Sequence, residues 1–297
     1  MAGAKEIKAR MSGVRETKQI TSAMYLIAST KLRHAREDLD KTRPYFDALR
    51  EEMTRLFRVS GDEKNRWLTG PNGELRGMGT RGILVITGDK GLCGGYNMNV
   101  IRRTEALLQE TPDAKLFAVG EYGRHFFQSH KADLDESFRF SSSEPSLDAA
   151  RDICTLLLDR YAARELNEIV LVYTDMRGVT GSDVIDTRLL PLEREASGGG
   201  GGAVYEFYPS LGEVVEAVLR SYLSGYIYSA MVDSLCAEQN ARVSAMDAAS
   251  RNADELLSSL SLQLNRERQS SITQEITEIS AGAKAQRSKR KKEGGPA

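Results

Sequence analysis

Apolar residues near the start of the chain recur in alternating steps of four and three, the spacing of a heptad repeat. Eight of the ten positions are apolar or aromatic; the series is Ile7, Met11, Val14, Lys18, Thr21, Tyr25, Ala28, Leu32, Ala35 and Leu39. Because this repeat keeps one face of a helix against a partner helix, it predicts a coiled-coil helix over residues 1–58. Pro44 is expected to bend or end that helix, with a continuation to about Phe57.

A second series with the same spacing lies near the end of the chain. It runs through Val232, Leu235, Gln239, Arg242, Met246, Ala249, Ala253, Leu256 and Leu260, and its register then slips through Leu264, Ile272, Ile276 and Ile279. Residues 226–281 contain neither glycine nor proline, and as one helix they would be about 84 Å long. A small domain can cover only part of such a helix, which favours antiparallel pairing of residues 210–284 with residues 1–58. The alternative is that each helix packs separately on the middle of the chain.

The middle of the chain, residues 75–209, alternates short apolar runs with amphipathic segments. The predicted strands are 82–87, 115–120 and 168–173, and the predicted helices are 97–110, 121–130 and 146–166. Further extended segments are expected at 183–192 and 203–208. This order predicts a small, largely parallel, Rossmann-like sheet. The predicted fold class is therefore α/β: a long antiparallel coiled coil of the terminal helices plus a small α/β domain.

The charge of the chain is unevenly distributed. The sum is −1, but residues 1–58 and residues 280–297 each carry +5, which leaves −11 for residues 59–279. Basic ends suggest acidic partners. The basic segment 285–297 is expected to be a disordered tail, and because no aromatic residues interleave it, nucleic-acid binding is not expected.

Composition argues against several other classes of protein. No apolar run approaches 18 residues and no secretory signal is visible. Three scattered cysteines and three histidines form no disulfide framework and no metal-ligand spacing. We therefore expect no metal, no cofactor and no catalytic constellation.

The segment GDKGLCGG, residues 88–95, is the most tempting candidate for a chemical site. It follows a strand and opens a helix, as phosphate-binding loops do. Its glycine spacing matches neither nucleotide-binding pattern, and Asp89 places a negative charge where a phosphate would lie. A tight structural turn is the favoured interpretation and nucleotide binding the alternative. Cys93 is likewise expected to be a small buried residue and not a nucleophile.

Three stretches together resemble the gamma subunit of bacterial ATP synthases. They are AKEIKARMSGVRETKQITSAMYLIASTKLR, ITGDKGLCGGYN and SLCAEQNARVSAMDAASRNADELL with RQSSITQEITEI, in the order of that family. The resemblance covers about 280 residues. It implies a non-catalytic rotor stalk that couples rotation of a membrane ring of c subunits to ATP synthesis or hydrolysis by a hexamer of alpha and beta subunits. It also implies contact with the epsilon subunit and a peripheral position on the cytoplasmic face of the bacterial membrane.

The resemblance also implies which residues contact partners. Those facing an acidic lever loop of beta are Met24, Lys18, Lys31 and Arg33. Those near the top of the bore of the hexamer are Arg268, Gln269, Thr273 and Glu275. Tyr205 and Glu206 match the foot near the c-ring. A small nucleotide-binding α/β enzyme and a coiled-coil adaptor are the alternative functions.

Overall fold

The computed structural model describes residues 2–59, 67, 80–177, 181–192, 208 and 210–293. Its helices are α1 (Ala2–Val59), α2 (Tyr96–Glu110), α3 (Glu121–Ser129), α4 (Leu147–Ala162) and α5 (Leu211–Glu293). Its strands are β1 (Arg81–Ile86), β2 (Lys115–Val119), β3 (Glu168–Arg177) and β4 (Gly181–Leu190). The described part of the chain is therefore mixed α/β and mostly helical, with a long helix at each end, as predicted.

The long helices can be compared with the sequence prediction at Pro44 and after residue 285. Pro44 lies inside α1, which continues through it to Val59, so the expected continuation to about Phe57 is confirmed and an end of the helix at Pro44 is wrong. Side chains pack on both sides of the proline: Ala35 joins a buried cluster with Val232 and Cys236, and the Phe46 ring lies 5.9 Å from that of Tyr228. These contacts hold both halves of the helix despite the lost backbone hydrogen bond. At the other end, α5 remains helical to Glu293, whereas the sequence predicted a disordered tail from residue 285.

The four strands form one sheet in the order β2-β1-β3-β4. β1 pairs in parallel with β2 and with β3, and β4 lies antiparallel to β3. The predicted βαβαβ order is confirmed, and β4 accounts for the extended segment expected at 183–192. Of the other expected segment, 203–208, only Tyr208 belongs to the described residues.

Alternate residues of the strands enter two apolar layers. Leu84 and Ile86 of β1 face a cluster that contains residues of α4 and of the first part of α5, among them Ile153 and Leu219. Ile83 and Val85 face the opposite cluster; its helical members include Val100, Ile101, Leu107 and Phe127. A strand buried on both faces explains the continuous apolar run that the sequence shows.

The contacts divide the chain into two compact units, residues 1–26 with 246–297 and residues 27–245. In the first unit, α1 and α5 run antiparallel: Lys18 contacts Asp254, Thr21 contacts Ser250, and Gly3 lies beside Glu267. In the second unit the same two helices are also antiparallel, since Ala35 packs with Val232 and Cys236, whereas Phe46, further along α1, contacts Gly225, which is earlier on α5. This division cuts both long helices, whereas the predicted domains, 1–58, 75–209, 210–284 and 285–297, follow them.

The predicted seam of α5 is buried or half-buried at every position from Val232 to Leu260 except Leu256, and its continuation through Ile272, Ile276 and Ile279 is exposed. Met246, Ala253 and Leu260 are each 5% exposed. Leu256 is 48% exposed, and its neighbour Leu257 is the more buried of the two. Two adjacent leucines in a seam rich in small residues leave the pattern ambiguous by one position.

Candidate partner-contact surfaces

Lys18 and Met24 lie on the part of α1 that belongs to the first unit. The Lys18 ammonium is 2.5 Å from Oδ1 of Asp254 on α5, and its side chain is 37% exposed. One helical turn away, the hydroxyls of Thr21 and Ser250 are 2.9 Å apart. Met24 is half-buried. Lys18 therefore joins α1 to α5 through an ion pair. The resemblance implied only a contact of Lys18 with an acidic lever loop of a partner.

Lys31 and Arg33 lie further along α1, in the second unit, and both are exposed. Burial raises the pKa of the Glu238 carboxyl on α5, and the nearby charge of Lys31 is one of the influences that oppose this rise. The two basic side chains are therefore available on the surface, as their predicted role requires.

α1 also exposes large apolar residues that the heptad spacing did not predict. Ile20 is 61% exposed, Leu26 is 64% exposed and Ile27 is 59% exposed. None of them belongs to the heptad series, so large apolar residues outside that series were the signal that could have found them.

The late part of α5 carries the other predicted residues. Arg268, Gln269, Thr273 and Glu275 are all exposed. The Thr273 hydroxyl donates to the Gln269 carbonyl at 2.8 Å, within the helix. Within the described part of the chain, Arg268 has no hydrogen-bond or ion-pair partner, so its guanidinium faces outward.

The same part of α5 also presents three isoleucines to the surface. Ile272, Ile276 and Ile279 are 51%, 61% and 72% exposed. Near the start of α1, a Cβ placed on Gly3 would lie 3.7 Å from the Glu267 carboxylate. The isoleucines lie further along α5 than Glu267, the level at which Gly3 of α1 is found.

The structure keeps the two predicted contact regions of the first unit apart. Thr21 lies opposite Ser250, and Gly3 lies opposite Glu267. These two levels are separated along α5 by about 25 Å, at 1.5 Å per residue. The early basic helix and the residues around Arg268 are therefore separate surfaces. The predicted foot residues, Tyr205 and Glu206, lie outside the described residues.

The GDKGLCGG segment, which we call the glycine loop (residues 88–95), uses Asp89 to hold other parts of the α/β domain. Oδ2 of Asp89 accepts hydrogen bonds of 2.6 Å from the hydroxyls of both Ser141 and Ser143. Its Oδ1 accepts from the backbone N–H of Glu121, the first residue of α3, at 3.1 Å. Burial raises the pKa of the carboxyl, but these bonds and one from the Ser142 N–H outweigh it and leave the pKa of Asp89 below its ordinary value.

The other polar groups of the glycine loop are bound within the protein as well. The amide of Asn97 accepts from the Gly88 N–H at 2.8 Å and donates to the Lys90 carbonyl at 3.2 Å. A Cβ on Gly88 would lie only 3.0 Å from Cδ of Glu238 on α5, so the loop packs directly on that helix. The loop is a structural turn against α5, and the backbone groups that a phosphate would need are partly used internally.

Cys93 is buried and its thiol is not primed for attack. It is 2% exposed. Burial raises the pKa of the thiol, with Arg242 opposing and Glu238 adding to the effect. A thiol kept protonated is a poor nucleophile, which agrees with the predicted packing role.

Two other kinds of site are absent from the described residues. No group of three or more histidine, cysteine, aspartate or glutamate side chains there could hold a metal ion. Among those same residues, no helix combines the length and the apolar character needed to cross a bilayer.

Comparison with known proteins agrees with this architecture. The family model for ATP synthase, "ATP-synt", matches residues 3–286. The ATP synthase gamma chain of Caldicellulosiruptor saccharolyticus is 39% identical over 285 residues, which span 94% of this chain and 97% of that protein. The gamma chain of Acetivibrio thermocellus is 37% identical and spans 96% of this chain and 99% of its own length.

Solved structures share the fold at lower identity. A chain of the Euglena gracilis mitochondrial ATP synthase, in an assembly of OSCP, F1 and c-ring, has a TM-score of 0.68 at 16% identity and covers 98% of this chain and 96% of its own. A chain of the Tetrahymena thermophila central stalk and c-ring has a TM-score of 0.59 at 20% identity, covering 78% of this chain and 99% of its own. With the family model and the relatives above matched over nearly the whole length, the chain belongs to the ATP synthase gamma-chain family.

Proposed function

We propose that this chain is the central rotor stalk of an ATP synthase and carries no catalytic site of its own. In this role it couples ion-driven rotation of a membrane c-ring to the conformational cycle of catalytic beta subunits. Its partners would be the alternating alpha and beta subunits of the head, the epsilon subunit and the c-ring. It would be peripheral to the membrane, held on its cytoplasmic face through the c-ring.

The observation that carries this proposal is the exposed late part of α5. Beyond Glu267, the helix exposes Arg268 and Gln269 together with Ile272, Ile276 and Ile279. An apolar helix surface of this kind is costly in water and is typical of a segment enclosed by partners. A surrounding hexamer is the enclosure that the family resemblance supplies.

The chemistry of the exposed side chains suits a contact that must break and form again. Exposed polar and charged pairs contribute about 0–1 kcal/mol each. Partners that prefer one orientation of such a surface shift between conformations when the surface turns, because their contacts differ between states. Arg268, Gln269, Thr273 and Glu275 are proposed as the contacts at one level, and Met24, Lys31 and Arg33 as contacts of the basic early helix. For Lys18, the proposed contact competes with its ion pair to Asp254.

Use of the glycine loop as a turn supports the non-catalytic part of the proposal. The Asp89 carboxylate and the Asn97 amide already bind other parts of the chain. The buried Glu238 carboxylate also approaches the loop closely, which is unfavourable for a phosphate. Calorimetric titration of the isolated chain with ATP and Mg²⁺ should show no heat of binding, and tight binding would favour the nucleotide-binding alternative.

The test of the rotor role is co-expression with the alpha and beta subunits of the same organism. The chain should co-purify with them and appear inside the hexamer by single-particle imaging. Arg268→Ala with Gln269→Ala should lower ATPase turnover of this assembly about fivefold, with helix content unchanged. Arg220→Ala, which removes another exposed arginine of α5, is the matched control. A chain that never enters the hexamer would end the proposal, and wild-type turnover in the double variant would remove the contact assignment alone.

Tyr205 and Glu206 are proposed to contact the c-ring. A photoreactive amino acid placed at position 205 should cross-link to a c subunit in the membrane-bound complex. Cross-linking to alpha or beta instead would contradict the assignment.

A further inference from the structure

A buried ion pair joins α5 to the glycine loop. The Arg242 Nη2 nitrogen donates to Oε1 of Glu238 at 2.7 Å and to the Gly91 carbonyl at 3.0 Å. The Glu238 side chain is 4% exposed and that of Arg242 is 11% exposed. One guanidinium nitrogen therefore binds a neighbour on its own helix and a backbone group of the α/β domain, 151 residues away in sequence.

Around this pair, α5 contributes only small apolar side chains, Ala237 and Ala241, to its contact with Cys93 and Tyr96. Ala237, 2% exposed, packs with Cys93 and Tyr96 at the start of α2, and Ala241 lies beside them. The alanine methyl groups present little surface to the loop, so they hold this point of α5 only weakly, whereas Leu219 and other residues earlier on α5 pack in the apolar cluster that Leu84 and Ile86 also enter. A directional polar contact supplies what the alanines do not.

Gly88 brings the loop against the same point of the helix. Its Cβ position lies 3.0 Å from Cδ and 3.1 Å from Oε1 of Glu238. The carboxylate–guanidinium pair therefore packs against Gly88, the first residue of the loop, and is hydrogen-bonded to Gly91 in its middle. Burial raises the pKa of Glu238, and the charges of Arg242 and of Lys31 on α1 oppose that rise.

We infer that Glu238 and Arg242, with the Gly91 carbonyl, form a clamp that fixes the rotational setting of α5 against the α/β domain, so that torque passes between them. The inference rests on the proposed rotor function. Glu238 and Arg242 are positioning residues in this scheme, since they act on the helix and not on a substrate. In the sequence, Arg242 belongs to the heptad series of α5, and no pattern singles out Glu238.

Stability alone does not account for a buried pair of this kind. Replacing both members of a buried ion pair with apolar residues of similar volume is often neutral or stabilising. The double variant Glu238→Leu/Arg242→Met is therefore expected to keep the fold while losing the directional bond to Gly91. It separates the clamp from a merely structural role.

The test compares ATP hydrolysis with ATP-driven ion uptake by the complete complex in inverted vesicles. In Glu238→Leu/Arg242→Met, ion uptake per ATP hydrolysed should fall about fivefold, while the amount of assembled complex and the unfolding temperature of the chain stay at wild-type values. The matched control is Glu216→Leu/Arg220→Met, which removes an i,i+4 pair of the same helix whose Nη2 and Oε1 atoms are 3.0 Å apart. The control should keep the wild-type ratio.

The outcomes distinguish failure of the clamp from failure of the rotor function. An unchanged ratio in the clamp variant, or an equal fall in the control, would overturn it. If the double variant does not assemble, the single variant Arg242→Gln replaces it. The glutamine side chain is too short to reach both Glu238 and the Gly91 carbonyl. A wild-type ratio of ion uptake to ATP hydrolysis in Arg242→Gln would also overturn the clamp. A wild-type chain that fails to assemble or to support ion uptake would instead contradict the rotor function.

Discussion

Lys18 and Asp254 connect the two terminal helices through an ion pair of 2.5 Å between Nζ and Oδ1. The residues are 236 positions apart in sequence. Their pairing sets the antiparallel register of α1 and α5 at this level, together with the neighbouring hydroxyls of Thr21 and Ser250. A side chain that the sequence assigned to a partner subunit therefore also has an internal role.

The contribution of this ion pair to stability should be small. The side chains are 37% and 58% exposed, so solvent screens the attraction, and pairs of this kind contribute about 0–1 kcal/mol. A double-mutant cycle with Lys18→Met and Asp254→Asn, followed by urea unfolding, should give a coupling energy of about 0.5 kcal/mol that declines with added salt. A coupling energy above about 2 kcal/mol would mean that the pair is shielded from water.

The hydrogen bonds to Asp89 should make stability depend on pH in the acid range. The pKa of the folded state lies below the ordinary value of 3.8, so the ionised carboxylate stabilises the fold above that pH. This contribution is lost as the pH falls through the folded-state pKa. Asp89→Asn should therefore be less stable than wild type at pH 7, with the difference shrinking below about pH 4.

Urea unfolding of both proteins at several pH values measures this difference. Comparison of the two cancels the similar acid dependence expected from Asp135, whose pKa is also lowered. A difference that stays constant from pH 7 to about pH 3 would show that the charge of Asp89 is not involved.

Gly120 should tolerate no side chain. Its φ is +93°, and a Cβ there would lie 2.3 Å from the Thr87 carbonyl oxygen. Gly120→Ala should lower the free energy of unfolding by about 3 kcal/mol through strain and overlap. Gly13→Ala is the opposite case, since nothing lies within 4 Å of its Cβ position in α1, and it should raise stability by about 0.5–1 kcal/mol.

Thermal unfolding of the two variants checks both signs. If Gly120→Ala and Gly13→Ala shifted the unfolding temperature equally, local backbone strain at Gly120 and helix propensity at Gly13 would not explain the effects.

The exposed isoleucines of α5 should matter for assembly and not for the fold of the free chain. Ile276 is 61% exposed, whereas Leu260 of the same helix is 5% exposed. Ile276→Ala should change the unfolding free energy by less than about 0.5 kcal/mol, while Leu260→Ala should lower it by about 2 kcal/mol. In co-expression with alpha and beta subunits, Ile276→Ala should reduce the recovered complex, and full recovery would show that this surface is not enclosed.

The periodic parts of the structure could be predicted from the sequence because they depend on local spacing. The heptad series of α1 and the apolar runs of β1 and β3 are of this kind. The choice between Leu256 and Leu257 was wrong because both suit an apolar seam and only the partner helix distinguishes them. The sequence left open whether α1 ends at Pro44, because the answer depends on contacts such as Phe46 with Tyr228, which are distant in sequence.

The candidate site shows the same limit. A pattern can mark Lys18 and Arg242 as polar interruptions of two seams, but it cannot supply their partners. The partner of Lys18 is Asp254 and that of Arg242 is the Gly91 carbonyl, and folding brings these residues together from distant parts of the sequence. The surface roles of Arg268 and Gln269 came from family motifs, which carry information about partners that spacing within one chain does not.

The register between α1 and α5 restricts how the length of the gene can change. Inserting a single codon between Ser250 and Ala253 would turn every later residue of α5 by about 100° and move Leu260 away from α1. Seven codons would restore the face but shift it along α1, so a matching insertion is needed in the other helix as well. Insertions and deletions in this region are therefore expected to survive only as compensated pairs, which makes the two ends of the gene change length together.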